Sequence, residues 1–346
     1  MSETAKRARR GGPTIADVAR HAGVSSMTVS NVLNGRSQRV SEATKERVLA
    51  TLGELGYRVN LTARHLRTGR TGMVGLAVPD FTPGYYSELA DRLADRFAAH
   101  GLRLVVERTS GRRSELESLS AARLSVYDGF VLSVVAGDTQ DLEQLSVETP
   151  VVLIGERTVP ARFDHVLMDN VTGARMATRL LIKRGARRIA LLGGATGDGD
   201  SMPQLRTRGY LAAHRAARLA IRPELIRPGG FRRLDGFEQV RLLIEEEIAF
   251  DAVFALTDTE AMGALTALVE AGLRVPDDVQ VIGFDNLSDT RFSVPPLSTV
   301  EPGNDRMADA ICELLLSRME EDGERRPAQV VMPAARLVER GTTRAG

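Results

Sequence analysis

From Gly72 onward, short apolar runs alternate with longer segments in which apolar residues recur every three or four positions. The runs have the length of strands, and the longer segments have the period of amphipathic helices. Regular alternation of strands and helices predicts parallel sheets with helices packed on both faces. Because the predicted strands are too many for one sheet, we expect two similar lobes. Strands are predicted at Met73–Val78, Arg103–Val106, Gly129–Val135, Val151–Ile154, His165–Met168, Arg188–Leu192, Ala252–Leu256 and Val279–Phe284, and helices at Ser87–His100, Gly173–Arg184, Thr207–Leu219, Thr259–Ala271 and Asn304–Glu320.

Before this region, the pattern is that of short amphipathic helices. A first helix is predicted from its N-cap Thr14 to Gly23, with apolar residues on one face. After a short turn, a second helix spans about Ser26 to Asn34 and carries a polar face. Two short helices joined by a glycine-containing turn are typical of a helix-turn-helix, whose Ser and Asn side chains can bind base edges and phosphates. With a third helix predicted at about Ser41–Leu55, a plain three-helix bundle remains the alternative by composition.

The charge distribution indicates a nucleic-acid partner for the first part of the chain only. The net charge of the whole chain is +1, yet residues 1–70 hold 13 Lys and Arg against 5 Asp and Glu. The remaining residues hold 33 Lys and Arg against 40 Asp and Glu. A small basic segment on a larger acidic body indicates that only the basic segment meets a polyanion.

Several classes of protein and site are disfavoured by what the sequence lacks. Its single cysteine, Cys312, allows no intramolecular disulfide, and its five scattered histidines show no metal-ligand spacing. No run of about 18 apolar residues predicts a membrane span, and the basic, polar N-terminus does not resemble a signal peptide. We therefore expect a soluble cytoplasmic protein with no metal, no cofactor and no membrane partner.

Parts of the chain have features of two other classes of protein, an NAD-dependent enzyme and a sugar-binding transport receptor. The glycines between Gly193 and Gly199 follow a predicted strand, as in an NAD-dependent enzyme, but their spacing is not the dinucleotide pattern G-x-G-x-x-G. A sugar-binding transport receptor would share the alternating region, but it would need a signal peptide and no helix-turn-helix. The G-x-S-x-G nucleophile motif is also missing, so the sequence does not predict an enzyme.

The segment TIADVARHAGVSSMTVSNVLNG, followed by RVSEATKERVLATLGELGYRVN, resembles the headpiece of the LacI/GalR family of bacterial transcriptional regulators. Later segments, among them TGARMATRLLIKRGARRIALLGG and TDTEAMGALTALVEAGLRVPDDVQVIGFDN, resemble the rest of the same family, so the resemblance covers nearly the whole chain. It implies an N-terminal all-α helix-turn-helix headpiece and an α/β, two-lobed, periplasmic-binding-protein-like sensor domain. The expected domains are a basic arm, disordered by composition, at 1–13, a helix-turn-helix DNA-binding domain at 14–56, a hinge at 57–71, and an effector-binding and dimerisation domain at 72–346.

The resemblance also implies which residues bind DNA. Family members read bases with the first, second and sixth residues of the recognition helix, which here are Ser26, Met27 and Asn31. In the hinge, Leu66 matches a leucine that wedges into the central base step of the operator, and Ala63 matches the small residue beside it. The positions that hold phosphates in the family are matched by Thr14, Ser25, Thr28, Ser30 and Asn34.

Ligands of doubly wound folds bind in the crevice at the carboxyl ends of the strands. There the resemblance implies an effector site, whose residues are matched by Tyr85, Tyr86, Arg206, Asp258 and Asp285. A guanidinium and carboxylates suit bidentate bonds to vicinal hydroxyls, and an aromatic ring suits the face of a sugar. Other roles remain open, namely a turn residue for Asp285, a surface ion pair for Arg206 and a helix cap for Asp258.

The function expected from this resemblance is that of a sequence-specific transcriptional regulator, a repressor and not an enzyme. We expect a homodimer that binds a pseudo-palindromic operator in double-stranded DNA. A small-molecule effector, expected to be a sugar or a related metabolite, binds between the two lobes. It controls operator affinity through its different affinity for two states of the protein.

Overall fold

The computed structural model describes residues 13–33, 40–57, 70–81, 84–136, 139–143, 147–320 and 326–345. The chain forms two compact units, Met1–Thr71, here called the head, and Gly72–Gly346, here called the body. None of the described helices is long and apolar enough to span a bilayer.

Some of the sequence predictions fall outside the described residues. These are the basic arm, apart from Pro13, and the part of the hinge between 58 and 69, which contains the predicted DNA contacts Ala63 and Leu66. Asn34, a predicted phosphate contact, also lies outside them. The roles of these residues stay predictions.

The head is a helix-turn-helix followed by a third helix, which confirms the predicted fold of this part. Helix α1 (Ile15–Ala22) begins at a capping box, in which Thr14 and Asp17 each accept a hydrogen bond from the backbone N–H of the other. It ends at Gly23, whose φ of +63° is a left-handed conformation that glycine adopts without strain. Two further helices follow, α2 (Ser26–Leu33) and α3 (Glu42–Glu54).

Apolar side chains from all three helices form the core of the head. Val18, Val29 and Val48, one from each helix, are completely buried. In addition, Nε of Arg47 on α3 donates to the backbone oxygen of Ala22 at the end of α1, at 2.9 Å. Packing and this hydrogen bond together fix α2 and the turn before it within the head.

The described residues of the body form two six-stranded sheets, one in each lobe. In chain order the strands are β1 Met73–Val78, β2 Arg103–Arg108, β3 Gly129–Ser133, β4 Val151–Ile154, β5 Asp164–Val166, β6 Ile189–Leu192, β7 Ile226–Arg227, β8 Ala252–Ala255, β9 Gln280–Phe284, β10 Ser298–Glu301, β11 Val330–Val331 and β12 Arg336–Val338. Lobe 1 has the strand order β11-β5-β4-β3-β1-β2, and lobe 2 has the order β12-β10-β9-β8-β6-β7. Within the described segments, all strand pairs are parallel except β12 with β10.

Helices cover the sheets of both lobes. They are α4 Tyr85–Ala99, α5 Arg112–Ser118, α6 Ala121–Leu124, α7 Thr139–Glu143, α8 Asn170–Lys183, α9 Met202–Ala216, α10 Arg233–Glu245, α11 Asp258–Glu270 and α12 Asn304–Met319, with single 3-10 turns at Pro223–Leu225 and Ser288–Arg291. The strands β3, β4, β6, β8 and β9 are buried along their whole length. Such continuous burial is expected for parallel strands that are covered on both faces.

Within the described part of the body, the chain crosses between the lobes three times. It leaves lobe 1 after β5 and enters lobe 2 through α8, returns after β10 through α12, and crosses again between β11 and β12. This two-lobed α/β architecture confirms the predicted fold class of the body. Because parallel strands end at the same edge of a sheet, the loops that follow them are collected there, where ligands bind in folds of this kind.

Candidate functional site

A cavity of about 490 Å³ lies between the two lobes. Lobe 1 contributes residues that follow β1, β3 and β4, and lobe 2 contributes residues that follow β6, β7, β8 and β9. Its size and its place at the carboxyl ends of the strands are those of a small-molecule site. Its polar and aromatic lining residues include Tyr85, Tyr86, Glu156, Arg206, Phe231 and Asp285.

Arg206, on α9, lines the cavity with a side chain that is only 2% exposed. Its Nε donates to Oδ1 of Asn170 at 2.7 Å, and its Nη1 donates to the backbone oxygen of Leu256. Its Nη2 lies 3.4 Å from Oδ1 of Asp285, and its guanidinium carbon lies 3.5 Å from the ring centroid of Phe284. A guanidinium with so many fixed partners is oriented before a ligand arrives, and it is not the surface ion pair that the sequence left open.

Asp285 follows β9 and has a backbone φ of +116°, which residues other than glycine rarely adopt. Two hydrogen bonds hold this conformation. The Asp285 N–H donates to the backbone oxygen of Val300 at 2.9 Å, and Nδ2 of Asn304 donates to the backbone oxygen of Asp285 at 2.6 Å. Burial raises the pKa of the Asp285 carboxyl above its ordinary value, although the positive charge of Arg206 acts in the opposite direction. Asp285 is thus a turn residue that also lines the cavity.

Tyr85 and Tyr86 begin α4 and form an aromatic wall of the cavity. Their ring centroids are 5.3 Å apart and their planes meet at 67°, an edge-to-face arrangement. The hydroxyl of Tyr86 lies 2.9 Å from Oγ of Ser133, within hydrogen-bond distance. Burial raises the pKa of both tyrosines, so both phenols are neutral groups that can donate to or accept from a ligand.

Asp258, the fifth predicted effector residue, is completely buried beside Asp285 and is not part of the cavity wall. Its Oδ2 accepts from the backbone N–H of Leu287 at 2.9 Å, and its Oδ1 accepts from Oγ1 of Thr299 at 2.6 Å. Burial raises the pKa of Asp258, and the nearby Asp285 raises it further. Helix α11 is capped by Thr257 and not by Asp258. In the structure Asp258 holds together the segments around Asp285, and a direct effector contact from it stays a prediction.

Two residues of the site were not found by sequence reasoning, namely one that lies behind the cavity wall and one that belongs to it. Asn170, the first residue of α8, accepts from Arg206 and donates its Nδ2 to Oε1 of Glu156 at 3.1 Å, so it joins polar groups of the two lobes. Phe231 follows β7, lines the cavity and is 37% exposed. A strand of two residues leaves no hydrophobic pattern, so nothing marked Phe231. Asn170 could have been found as a polar residue shortly after the strand predicted to end at Met168.

In the head, α2 presents the predicted base contacts on the face away from the core. Met27 is 70% exposed, Ser26 is exposed and Asn31 is partly exposed, whereas Val29 and Val32 are buried on the other face. The second helix of a helix-turn-helix is the one that enters the major groove. DNA contacts by these residues stay predictions, as do those of the exposed or partly exposed phosphate candidates Thr14, Ser25, Thr28 and Ser30.

Comparison with family models and curated proteins covers both units. Residues 14–60 match the model for bacterial regulatory proteins of the lacI family. Residues 178–343 match the model for the periplasmic binding protein-like domain. The HTH-type transcriptional repressor PurR of Histophilus somni is 30% identical over 317 residues, which make up 90% of this chain and 93% of that protein.

Solved structures give the same result. The transcriptional regulator CelR in complex with cellobiose is 30% identical, with a TM-score of 0.69, and the match covers 95% of this chain and 99% of that chain. The lac repressor dimer bound to operator and the anti-inducer ONPF is 26% identical, with a TM-score of 0.76, and the match covers 97% and 100%. These relatives are transcriptional regulators and not enzymes. The chain therefore belongs to the LacI family, and it is a transcriptional repressor with a helix-turn-helix DNA-binding domain and an effector-binding domain.

Proposed function

We propose that the protein binds a pseudo-palindromic operator as a homodimer and that a sugar bound between its lobes controls operator affinity. The observation that carries the effector assignment is the cavity between the lobes, with the buried pair Arg206 and Asp285 in its wall. The predicted contacts Tyr85 and Tyr86 belong to the same wall. We assign to Asp258 the role of fixing the segments next to Asp285 through its hydrogen bonds with Leu287 and Thr299.

The chemistry of this wall suits a sugar. A sugar presents pairs of neighbouring hydroxyls, and a guanidinium beside a carboxylate can donate to one hydroxyl and accept from the next. The rings of Tyr85, Tyr86 and Phe231 offer aromatic surface of the kind that packs against the apolar face of a pyranose. One relative, CelR, is described in complex with cellobiose, and a cavity of about 490 Å³ has room for a disaccharide.

A thermal-unfolding screen of the purified full-length protein tests the effector class. The compounds are cellobiose, other disaccharides, monosaccharides and, as a chemically different set, purine bases. A ligand that binds only the folded protein stabilises it by about 2.7 kcal/mol when present at about 100 times its Kd. A sugar that raises Tm and also changes operator affinity supports the proposal. Stabilisation by purine bases and by no sugar contradicts it.

Homodimerisation follows from the way that such a head meets DNA. Two heads related by a two-fold axis bind two half-sites, so the symmetry of the operator mirrors that of the protein. The lac repressor relative is described as a dimer bound to operator. A protein that binds operator DNA in a bacterium acts in the cytoplasm, and we place this protein there.

We expect operator affinity to fall steeply as salt is added. Residues 1–70 hold 13 Lys and Arg against 5 Asp and Glu, and each phosphate that they neutralise releases counterions. A plot of log Kd against log salt concentration, measured by fluorescence anisotropy between about 50 and 200 mM salt, is expected to have a slope of several units. Binding of a neutral sugar to the same protein serves as the control and is expected to change little. An operator affinity that does not depend on salt contradicts the prediction.

A further inference from the structure

A second set of contacts joins the lobes beside the cavity. Asp200 of lobe 2 accepts from the backbone N–H of Thr158 in lobe 1 through Oδ2 at 2.7 Å. Its Oδ1 accepts from Nη1 of Arg157 at 3.1 Å, and Nε of Arg157 donates to the backbone oxygen of Val135 in lobe 1 at 2.8 Å. Arg157 and Thr158 follow β4, so lobe 2 presents the acceptor and lobe 1 presents these donors.

Asp200 is carried by the glycine-rich segment that resembles a dinucleotide loop in sequence. We call this segment, residues 193–201 between β6 and α9, the strap. Near its start, the backbone N–H of Ala195 donates to Oγ1 of Thr207 at 3.1 Å, and at its end Oγ of Ser201 donates to Oε1 of Gln204 at 2.6 Å. Both partners lie on α9. The strap is therefore tied to lobe 2 at both ends, and Asp200 extends from it towards lobe 1.

Glycine is required in the strap by the path of the backbone and not by phosphate binding. Gly197 has a φ of +106°, where residues with a side chain are strained. A Cβ at Gly199 would lie 2.2 Å from Oε1 of Gln204, the atom that accepts from Ser201. The two glycines thus permit the path that brings Asp200 to lobe 1.

The contact lies at the cavity and not at the crossovers. Arg157, which donates in this contact, and Ser201, the residue after Asp200, both line the cavity. A further contact between the lobes joins Oε1 of Glu88 to the backbone N–H of Ser288 at 2.6 Å, close in sequence to the lining residues Tyr86 and Asp285. The lobes are thus held together by side-chain contacts from different segments in addition to the three crossovers.

We propose that the strap is a latch, in which Asp200 holds the two lobes closed over the cavity and thereby limits how fast ligands enter and leave. The proposal rests on the proposed function in one respect, namely that the cavity is the effector site. In this arrangement Asp200 is a positioning residue that controls access without touching the ligand. Opening requires Thr158 and Arg157 to be released from one carboxylate.

The contacts of Asp200 with Arg157 and with Thr158 are expected to contribute unequally to closure of the lobes. The side chains of Arg157 and Asp200 are 34% and 36% exposed, and ion pairs so exposed contribute little because solvent screens them. The backbone N–H of Thr158 forms a charge-assisted hydrogen bond, which contributes about tenfold or more to an equilibrium. Hydrogen bonds from Thr158 and Arg157 hold the pKa of Asp200 below its ordinary value against the opposing effect of burial, which is the largest single influence. The carboxylate is therefore charged at neutral pH.

Hydrogen exchange measures the latch without a ligand. In the full-length protein, mass spectrometry follows exchange in peptides that contain the Thr158 amide. Asp200→Ala is expected to raise the exchange rate of this amide by about tenfold, because its acceptor is lost. Arg157→Ala is expected to raise it by less. The matched control is Asp198→Ala, which removes an exposed carboxylate two residues away in the same strap and is expected to leave the rate unchanged.

A thiol placed in the cavity measures access directly. Ser133 lines the cavity and is completely buried, so Ser133→Cys reacts with a bulky thiol reagent only when the lobes open. Adding Asp200→Ala is expected to raise this rate by about tenfold, whereas adding Asp198→Ala is not. The native Cys312 is buried, and the protein without Ser133→Cys gives its background rate.

The latch is overturned if Asp200→Ala and Asp198→Ala give equal amide exchange at Thr158 and equal thiol reaction rates. If Asp200→Ala does not fold, Asp200→Asn replaces it. This variant retains one oxygen acceptor but loses the negative charge. Its amide exchange and thiol reaction are expected to be faster than those of the parent. Neither measurement uses a sugar or DNA. Failure of the latch therefore leaves the sugar assignment standing, and failure of the sugar screen leaves the latch test valid.

Discussion

Arg206→Ala and Asp285→Asn are each expected to abolish the response of operator binding to the effector, with operator affinity nearly unchanged when no effector is present. Each substitution removes a charged partner in the cavity wall, a loss of about 1.5–3 kcal/mol, which lowers effector affinity about tenfold or more. Asparagine is chosen at position 285 because it tolerates the backbone φ of +116° better than alanine does. Fluorescence anisotropy with labelled operator, with and without the sugar found in the screen, provides the measurement.

Matched variants separate loss of the site from general damage. Arg208→Ala changes an exposed arginine on the same helix, and Asp289→Asn changes an exposed carboxylate four residues after Asp285. Both are expected to respond to effector like the parent. Removing Arg206 leaves the buried Asp285 carboxylate without its positive partner and Oδ1 of Asn170 without its donor, which costs about 3–5 kcal/mol of stability, so unfolding is measured first. A full effector response in both cavity variants means that the effector binds elsewhere.

Asn31→Ala is expected to relax sequence preference at one base pair in each half-site, at a cost of about 1–3 kcal/mol in specific binding. Asn31 lies on the face of α2 away from the buried Val29 and Val32, and its amide can both donate to and accept from a base edge. Selection of preferred sites from a random pool provides the measurement. Leu49→Ala, which changes an exposed side chain on α3, is the control and is expected to keep the parent preference.

Leu66→Ala is expected to act in a different way, although Leu66 lies outside the described residues. Its side chain has no hydrogen-bonding group, so the predicted wedge contributes through DNA bending and not through base reading. This variant is expected to bind more weakly, to bend the operator less and to keep the half-site preference. Altered half-site bases with Leu66→Ala, or unaltered ones with Asn31→Ala, contradict the assignment of recognition helix and wedge.

Burial on both faces explains which strands the sequence predicted well. The bounds of Met73–Val78 and Val151–Ile154 were predicted without error, because a fully covered parallel strand is an unbroken apolar run. The strand Ser298–Glu301 was missed because three of its four residues are polar. Their side chains are nevertheless buried, since Oγ1 of Thr299 bonds the buried Asp258 and Oγ of Ser298 lies 2.9 Å from Oγ1 of Thr343. These partners are distant in sequence, so no local pattern reveals them.

The helix Arg233–Glu245 was missed for a related reason. It contains Gly236, which lowers the helix propensity of the segment. In the structure a Cβ at Gly236 would lie 2.1 Å from the backbone oxygen of Glu260, and one at Gly263 would lie 1.8 Å from the backbone oxygen of Arg233. The glycines allow α10 and α11 to pack at close distance. The sequence of one segment shows the low helix propensity of its glycine. It does not show the close packing of two helices that the glycine permits.

The lining of the cavity was predictable in some of its residues and not in its arrangement. The resemblance selected Arg206 and Asp285, and both line the cavity. It gave no indication that the Asn170 amide connects Arg206 to Glu156, or that Asp258 turns its carboxylate to Leu287 and Thr299. Such connections depend on the exact distances between segments that are far apart in the chain.

The three crossovers have a consequence for synthesis of the protein. Strands β11 and β12 come after all the other strands in the chain, yet each supplies an edge to a different sheet. The segment after β12 also contributes, because Oγ1 of Thr342 donates to the backbone oxygen of Val281 at 2.7 Å. Domains generally fold in order as the ribosome releases them, so the head can fold early, while both lobes stay incomplete until residues 330–342 have emerged. A ribosome that stops shortly before this point releases a DNA-binding head attached to two unfinished lobes, in which the edges of β5 and β10 present unpaired backbone groups.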